Sequence, residues 1–312
     1  MWLGAVNAVV INLAAMSGLY SLQTGHWWRE MLDCCGFKES QMPMLVKPGR
    51  YIPVSGPCRD VQGLAPTSLV LAGNDQSVGA FGNYCSQRSL LVTLGTALVV
   101  YRVMGQQRGP YTPNGAWGPY PGGGYYELAM CTGCAVLDWA RQQLLPGRDI
   151  KAFDALAAKT MSRRTRSVCL DRESLFFPAA VKTSRAWIGV QSPGERALAV
   201  YEGIAFSLKQ LIRDEWRVVS RLPDIVAVGG GSRSRVMLQV LADILNTRVG
   251  CGTGDALLGA ARLACPGAGA GTPSILEWFH PRQAAFYESR YERWRKSRAM
   301  SDAVGEGAAL TK

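Results

Sequence analysis

The stretch Asp224-Ile-Val-Ala-Val228-Gly229-Gly230-Gly231-Ser232-Arg233-Ser234 decides how the chain is read. Five residues suited to a buried strand run into three glycines and then into a helix start near Ser232. Glycine tolerates positive φ and lets a backbone approach another group closely. A helix that follows directly offers free N–H groups and a positive dipole end, which together suit an anion or a polar ring. The same stretch also reads as a tight turn with Ser232 capping the helix. It is neither a Walker A loop nor the dinucleotide G-x-G-x-x-G in its usual setting. Strand, glycine turn and helix in this order argue for an α/β fold.

Working outward, the same alternation recurs. Leu90–Leu94 and Ala97–Val103 are two predicted strands broken by Gly95-Thr96. That bend can give backbone amides and a hydroxyl to phosphate oxygens, or it can be an ordinary hairpin turn. Gly73-Asn74-Asp75-Gln76 follows a predicted strand, Ser68–Ala72, and Asp75–Gly82 carries small residues suited to a helix start. A carboxylate there can take a proton from an attacking hydroxyl, or it can cap the helix. Further elements are a strand at Tyr125–Cys131 and a helix at Ala135–Leu144. In Pro193–Glu215, Leu198, Tyr201, Ile204, Ala205, Leu208 and Ile212 repeat at helical spacing. Helices also follow over Asp255–Ala264 and Pro281–Arg298, and the last dozen residues read as disordered. Near the start, Leu19–Leu22 reads as a short strand, Trp27–Cys35 as a helix and Lys47–Ala65 as a connecting loop. Gly105–Gly124 is a long loop whose Trp117, Tyr120 and the adjoining Tyr125 either pack beneath it or wall a cleft.

Composition narrows the function classes. A net charge of +11 favours anionic partners. Local concentrations lie at Arg163, Arg164 and Arg166 and from Arg282 to Arg298. Neither is the aromatic-interleaved stripe of a nucleic-acid platform, so no nucleic-acid partner is expected. Nine cysteines without a framework point to a reducing compartment, and Cys131-Thr-Gly-Cys134 has no second pair. Only His26 and His280 are present, which excludes a histidine-rich metal site. Met1–Gly18 is apolar, but it lacks a basic start and is interrupted by Asn7 and Asn12. It reads as a buried segment of a cytoplasmic protein with no membrane partner.

Taken in order, these pieces resemble the FGGY carbohydrate kinases, the family of glycerol kinase and xylulokinase. The matching motifs are Gly73–Gln76 with Gly79, Ala80 and Gly82, then Leu94-Gly95-Thr96, then Gly133–Trp139. After these come Glu202–Ala205, Gly229–Ser232 leading to Gln239 and Ala242-Asp243-Ile244, and Leu258–Ala261. Pro281, Tyr287 and Tyr291 fit the closing helix, and the stretch from Asn12 to Trp28 resembles the end of the family's N-terminal lobe.

The resemblance implies an actin/hexokinase-like, ribonuclease-H-like lobe over 67–265. It makes 1–66 a remnant of the sugar-binding lobe and linker, and 266–312 a linker, basic helix and tail. It implies ATP with Mg²⁺, no dedicated protein metal site, and transfer to a ketose, with xylulose the first choice. Asp75 would be the base and, with Gln76, would face the sugar. Gly95 and Thr96 would contact phosphates, while Gly229, Gly230, Gly231 and Ser234 would line the adenosine site. The family's opening Asp-x-Gly-Thr hairpin has no counterpart before residue 12, and its Pro…Gly-x-Arg segment is abbreviated around Pro178–Arg185. The expectations are therefore a kinase completed by a separate N-terminal lobe or a second copy, or a nucleotide-binding remnant without turnover. A basic protein that binds through its last helix is the remaining alternative.

Overall fold

The computed structural model describes residues 6–53, 68–106, 115–161, 169–170, 187–188, 192–214, 216–217, 221–265 and 271–309. The arginines at 163, 164 and 166 and the Pro178–Arg185 segment lie outside the described residues. So do the first five residues of the apolar start and residues 54–65 of the expected loop.

The strands in chain order are β1 (Ala8–Val10), β2 (Met44–Val46), β3 (Arg50–Pro53), β4 (Ser68–Leu71), β5 (Ser89–Leu94), β6 (Ala97–Met104) and β7 (Gly115–Pro119). They continue with β8 (Tyr125–Thr132), β9 (Cys169–Leu170), β10 (Trp187–Ile188), β11 (Asp224–Val228), β12 (Val249–Gly252) and β13 (Ile275–Phe279). The helices are α1 (Ile11–Ala14), α2 (Arg29–Cys34), α3 (Asp75–Gly82), α4 (Ala135–Leu144) and α5 (Ile150–Met161). After them come α6 (Pro193–Asp214), α7 (Arg235–Leu245), α8 (Ala256–Ala264) and α9 (Ala284–Ala309).

A seven-stranded mixed sheet in the order β13-β12-β11-β5-β6-β8-β7 organises the molecule. β11 runs parallel to both β5 and β12, and the remaining neighbours are antiparallel. Side chains alternate across a strand. Leu90, Val92 and Leu94 of β5, with Ile225 and Ala227 of β11, therefore enter one core. Leu91, Tyr101, Tyr126 and Val226 enter the smaller core on the opposite face. Helices α4, α5, α6, α7 and α9 cover the larger core. Each fully buried aliphatic side chain there contributes about 1.5–3 kcal/mol.

The helical repeat in α6 buries Leu198, Tyr201, Ile204, Ala205, Leu208 and Ile212 as its spacing predicts. Its Glu202 is also buried and pairs with Arg290 of α9, the two side chains being 1% and 3% exposed. Burial pushes the Glu202 carboxyl up from its ordinary value, against the lowering effect of Arg290. Tyr287, Tyr291 and Trp294 join the same core, so sheet and core continue past residue 265 through β13 and α9.

The structure departs from the sequence reading at defined places. Leu19–Leu22 forms no strand, since only an isolated bridge joins Tyr20 to Trp27. The expected loop after Lys47 contains β3, which pairs with β4. The long loop before Gly124 contains β7, an edge strand on β8. Tyr120 packs inward, donating its hydroxyl to the Cys85 carbonyl at 2.9 Å. Helix α9 continues to Ala309 through most of the tail expected to be disordered. The apolar start is only partly buried, with Val10 and Ala14 inside and Leu13 and Met16 exposed.

One contact from that start governs a later turn. Asn12 is completely buried. Its carboxamide donates to the Ala72 carbonyl at 3.5 Å and accepts the Asn74 N–H at 3.2 Å. Between them Gly73 has φ +103, and a Cβ there would meet Asn12 Oδ1 at 1.8 Å.

Gly73→Ala should cost at least ~1–3 kcal/mol, the usual price of forcing a non-glycine residue into such a conformation, as read by thermal denaturation. Glu202→Ala should cost about 3–5 kcal/mol by removing the carboxylate that faces Arg290 in the core. Combining Glu202→Met with Arg290→Met should recover most of that loss in denaturant titrations.

Candidate functional site

The bends singled out in the sequence lie together at one end of the sheet. Because β5 and β11 are parallel, with Thr93 opposite Val228, the chain leaves both strands on the same edge. Gly229 has φ +88, and a Cβ there would stand 3.0 Å from the Leu94 carbonyl oxygen. A Cβ on Gly231 would lie 2.6 Å from Cys134 Sγ and 2.9 Å from Leu94 Cβ. Only glycine at these positions lets the β11 bend lie against the end of β5. Gly230 differs, since nothing lies within 4 Å of where its Cβ would be. The Gly95–Thr96 bend is held from the other side. The Cys134 amide donates to Gly95 O at 2.8 Å and the Ala135 amide to Thr96 O at 3.2 Å. Thr96, Gly229 and Gly230 are exposed at this edge.

Asp75 begins α3 but does not cap it. The cap is Asn74, whose Oδ1 accepts from the Ser77 amide at 3.0 Å and from its hydroxyl at 3.3 Å. The Asp75 carboxylate is thereby left exposed, with Oδ1 accepting the Gln76 amide at 2.8 Å. Gln76 Oε1 accepts the Thr93 hydroxyl at 3.0 Å. Thr93 precedes Gly95 by two residues, so this bond ties the start of α3 to the strand that feeds the Gly95–Thr96 bend. Asp75, Gln76, Gly95, Thr96 and Gly229–Gly231 are thus carried by adjoining elements.

Ser232 caps no helix. Residues Gly230–Arg233 form one 3₁₀ turn, and Ser234 caps α7, accepting the Met237 amide at 3.1 Å. The Ser234 hydroxyl donates to Asp154 Oδ1 at 2.8 Å. The Tyr201 hydroxyl donates to the same oxygen. Burial, then the neighbouring carboxylate, pushes the Tyr201 phenol far up, which keeps it a donor. Asp154 and Asn12 were not found by sequence reasoning. The only available signals were an acidic residue inside an alanine-rich helix and a polar residue inside an apolar run. A cleft of about 350 Å³ is lined by Ala158 of α5, by Arg235, Val236 and Gln239 of α7 and by Trp278 of β13, among others.

Cys131 and Cys134 are free thiols. Burial, then Asp138, pushes Cys134 up to about 11, which holds it protonated at neutral pH. Among the described residues no three His, Cys, Asp or Glu side chains are grouped to hold a metal, and no helix is long and apolar enough to cross a membrane.

Residues 90–268 match the model of the FGGY family of carbohydrate kinases, C-terminal domain. The xylulose kinase of Staphylococcus epidermidis is 27% identical over 249 residues, covering 74% of this chain and 48% of that protein. The xylulose kinase of Escherichia coli is 27% identical over 254 residues, covering 76% of this chain and 51% of its own length. The chain therefore spans about half the length of the curated relatives it matches. The crystal structure of xylulose kinase from Rhodospirillum rubrum superposes with a TM-score of 0.81 at 20% identity, over 95% of this chain and 65% of that one. The fold is the actin/hexokinase-like ATPase fold of these kinases. The chain belongs to the FGGY family of carbohydrate kinases, matched through that family's C-terminal domain.

Proposed function

We propose that this chain is the nucleotide-binding part of an ATP-dependent sugar kinase acting on a ketose of the xylulose type. The observation that carries the reading is the Gln76–Thr93 hydrogen bond, which joins the carboxylate-bearing turn to a phosphate-type bend. The packing of Gly229 and Gly231 on Leu94 supports it by bringing the second bend alongside. In this reading the backbone at Gly95, Thr96 and Gly229–Gly231 grips the polyphosphate. Asp75 accepts the proton of the attacking sugar hydroxyl, and Gln76 holds the turn while facing the sugar. General-base help of this kind is worth about 10²–10⁴ in rate. Most of the remaining acceleration in phosphoryl transfer comes from positioning and charge neutralisation.

The donor set fits Mg²⁺. That ion keeps several waters and is usually held through one or two carboxylates plus substrate phosphates, not by an all-protein cage. Substrate phosphates would hold most of it here, with Thr96 bringing a hydroxyl to this edge while Asp75 stays the base. Bound Mg²⁺ would neutralise phosphate charge. The net charge of +11 favours the same anionic ligand. Sugar and ATP are the small-molecule partners, a separate lobe or a second copy is the macromolecular one, and the location is cytoplasmic.

The exposure of Asp75 favours one further reading, a lobe that binds nucleotide without turnover. An open carboxylate excludes no water from the reacting phosphate. Phosphoryl transfer to ketoses and ATP-induced thermal stabilisation, measured on the same preparation, separate the two.

Asp75→Asn should lower transfer by about 10²–10⁴ while leaving ATP affinity within a few-fold. Undiminished turnover in that variant would reject the base assignment. Gly229→Ala should weaken ATP binding more than Gly230→Ala in calorimetry, because only the former forces Leu94 and the bend apart.

A further inference from the structure

The cleft of about 350 Å³ lined from α5, α7 and β13 also takes in Arg282 and Gln283, just ahead of α9. No residue of the glycine bends or of the Asp75 turn is among the described residues that line it. Two of its side chains are buried yet incompletely bonded. Asp243 is 1% exposed. Its Oδ1 accepts the backbone amides of Arg282 and Gln283 and the Gln239 carboxamide at 3.3 Å. Its Oδ2 accepts from no described residue, and it is not sealed from solvent. Gln239 uses Nε2 on Asp243 and on the His280 carbonyl at 2.9 Å, so Oε1 stands without a donor among the described residues. Buried acceptors are ordinarily paired, and the cleft holds far more than the ~30 Å³ of one water.

Of the four charged side chains in the lining, Arg235 and Glu277 bind each other bidentately on the exposed side. The other two are the Asp243 carboxylate and Arg282, whose exposed guanidinium has no ion-pair partner among the described residues. Met161 and Trp278 supply an apolar wall. The indole is held by the Arg248 guanidinium, 4.9 Å from its ring centroid.

We propose that this cleft binds a free α-amino acid with an apolar side chain, at a site separate from the nucleotide edge. An ammonium carries three donors and no acceptor, which matches Asp243 Oδ2 and Gln239 Oε1. Hydrogen bonds between charged partners are the stronger kind. The fork of the Arg282 guanidinium matches the two oxygens of the ligand's carboxylate. The ligand's side chain lies along Met161 and Trp278. None of this depends on the kinase reading.

The test is calorimetric titration of the full chain with L-leucine, with isoamylamine, which lacks its carboxylate, and with isocaproate, which lacks its amine. L-Leucine should bind at least about tenfold more tightly than either, the scale of one hydrogen bond to a charged group. Arg282→Gln, at an exposed position, should bring L-leucine down to the affinity of isoamylamine and leave isoamylamine unchanged. Asp243→Asn, which keeps an oxygen for the amides ahead of α9, should weaken L-leucine and isoamylamine about tenfold or more and spare isocaproate. A merely structural role would weaken all three alike.

Absence of saturable binding of L-leucine at millimolar concentration overturns the proposal. So does an equal loss of all three ligands in both variants. Displacement of L-leucine by ATP with Mg²⁺ overturns it too, because the cleft would then belong to the nucleotide site. Should Asp243→Asn fail to fold, the Arg282→Gln comparison decides by itself.

Discussion

The contact on which the rest depends is the approach of the Gly229–Gly231 bend to Leu94, with no room for a side chain at either outer glycine. It requires β5 and β11 to be parallel neighbours, so that both chains turn at the same edge. The parallel pairing in turn requires a long excursion between the strands, which β6, β8, α4, α5 and α6 provide. The larger core packs that excursion against one face of the sheet. A shift between β5 and β11 would separate the bends and break the edge that carries every candidate phosphate contact.

The turn at Asp75 is built by a different kind of constraint. Its geometry is imposed from sixty residues away by Asn12, a buried carboxamide bridging two backbone groups. Asn74 then takes the capping task, and this leaves the neighbouring carboxylate exposed. Division of labour between adjacent residues explains why a carboxylate can sit at a helix start and still have an exposed side chain.

Much of this was legible in the sequence because it depends on local pattern. Apolar runs broken at Gly95-Thr96 gave β5 and β6, helical spacing gave α6, and glycine runs marked the bends. The places that were misread have physical causes. Ser232 and Ser234 are both competent caps, and only the inserted 3₁₀ turn selects Ser234. Helix α5 went unassigned because alanines dilute its apolar stripe around Phe153 and Ala157. β13 alternates over only five residues at a sheet edge, too short to stand out beside the glycines before it. Asn12 and Asp154 acquire meaning only from partners remote in the chain, which no local window contains.

The distance along the chain between Glu202 and Arg290 bears on how the protein is made. A ribosome releases α6 well before it releases α9, so Glu202 emerges with its counter-ion still unsynthesised. A lone carboxylate resists entering an apolar interior. The sheet's larger face therefore stays unsealed, with Phe206 waiting for Tyr291 and Trp294, until the last helix leaves the exit tunnel. Nascent chains stalled before residue 290 would present that bare face to chaperones.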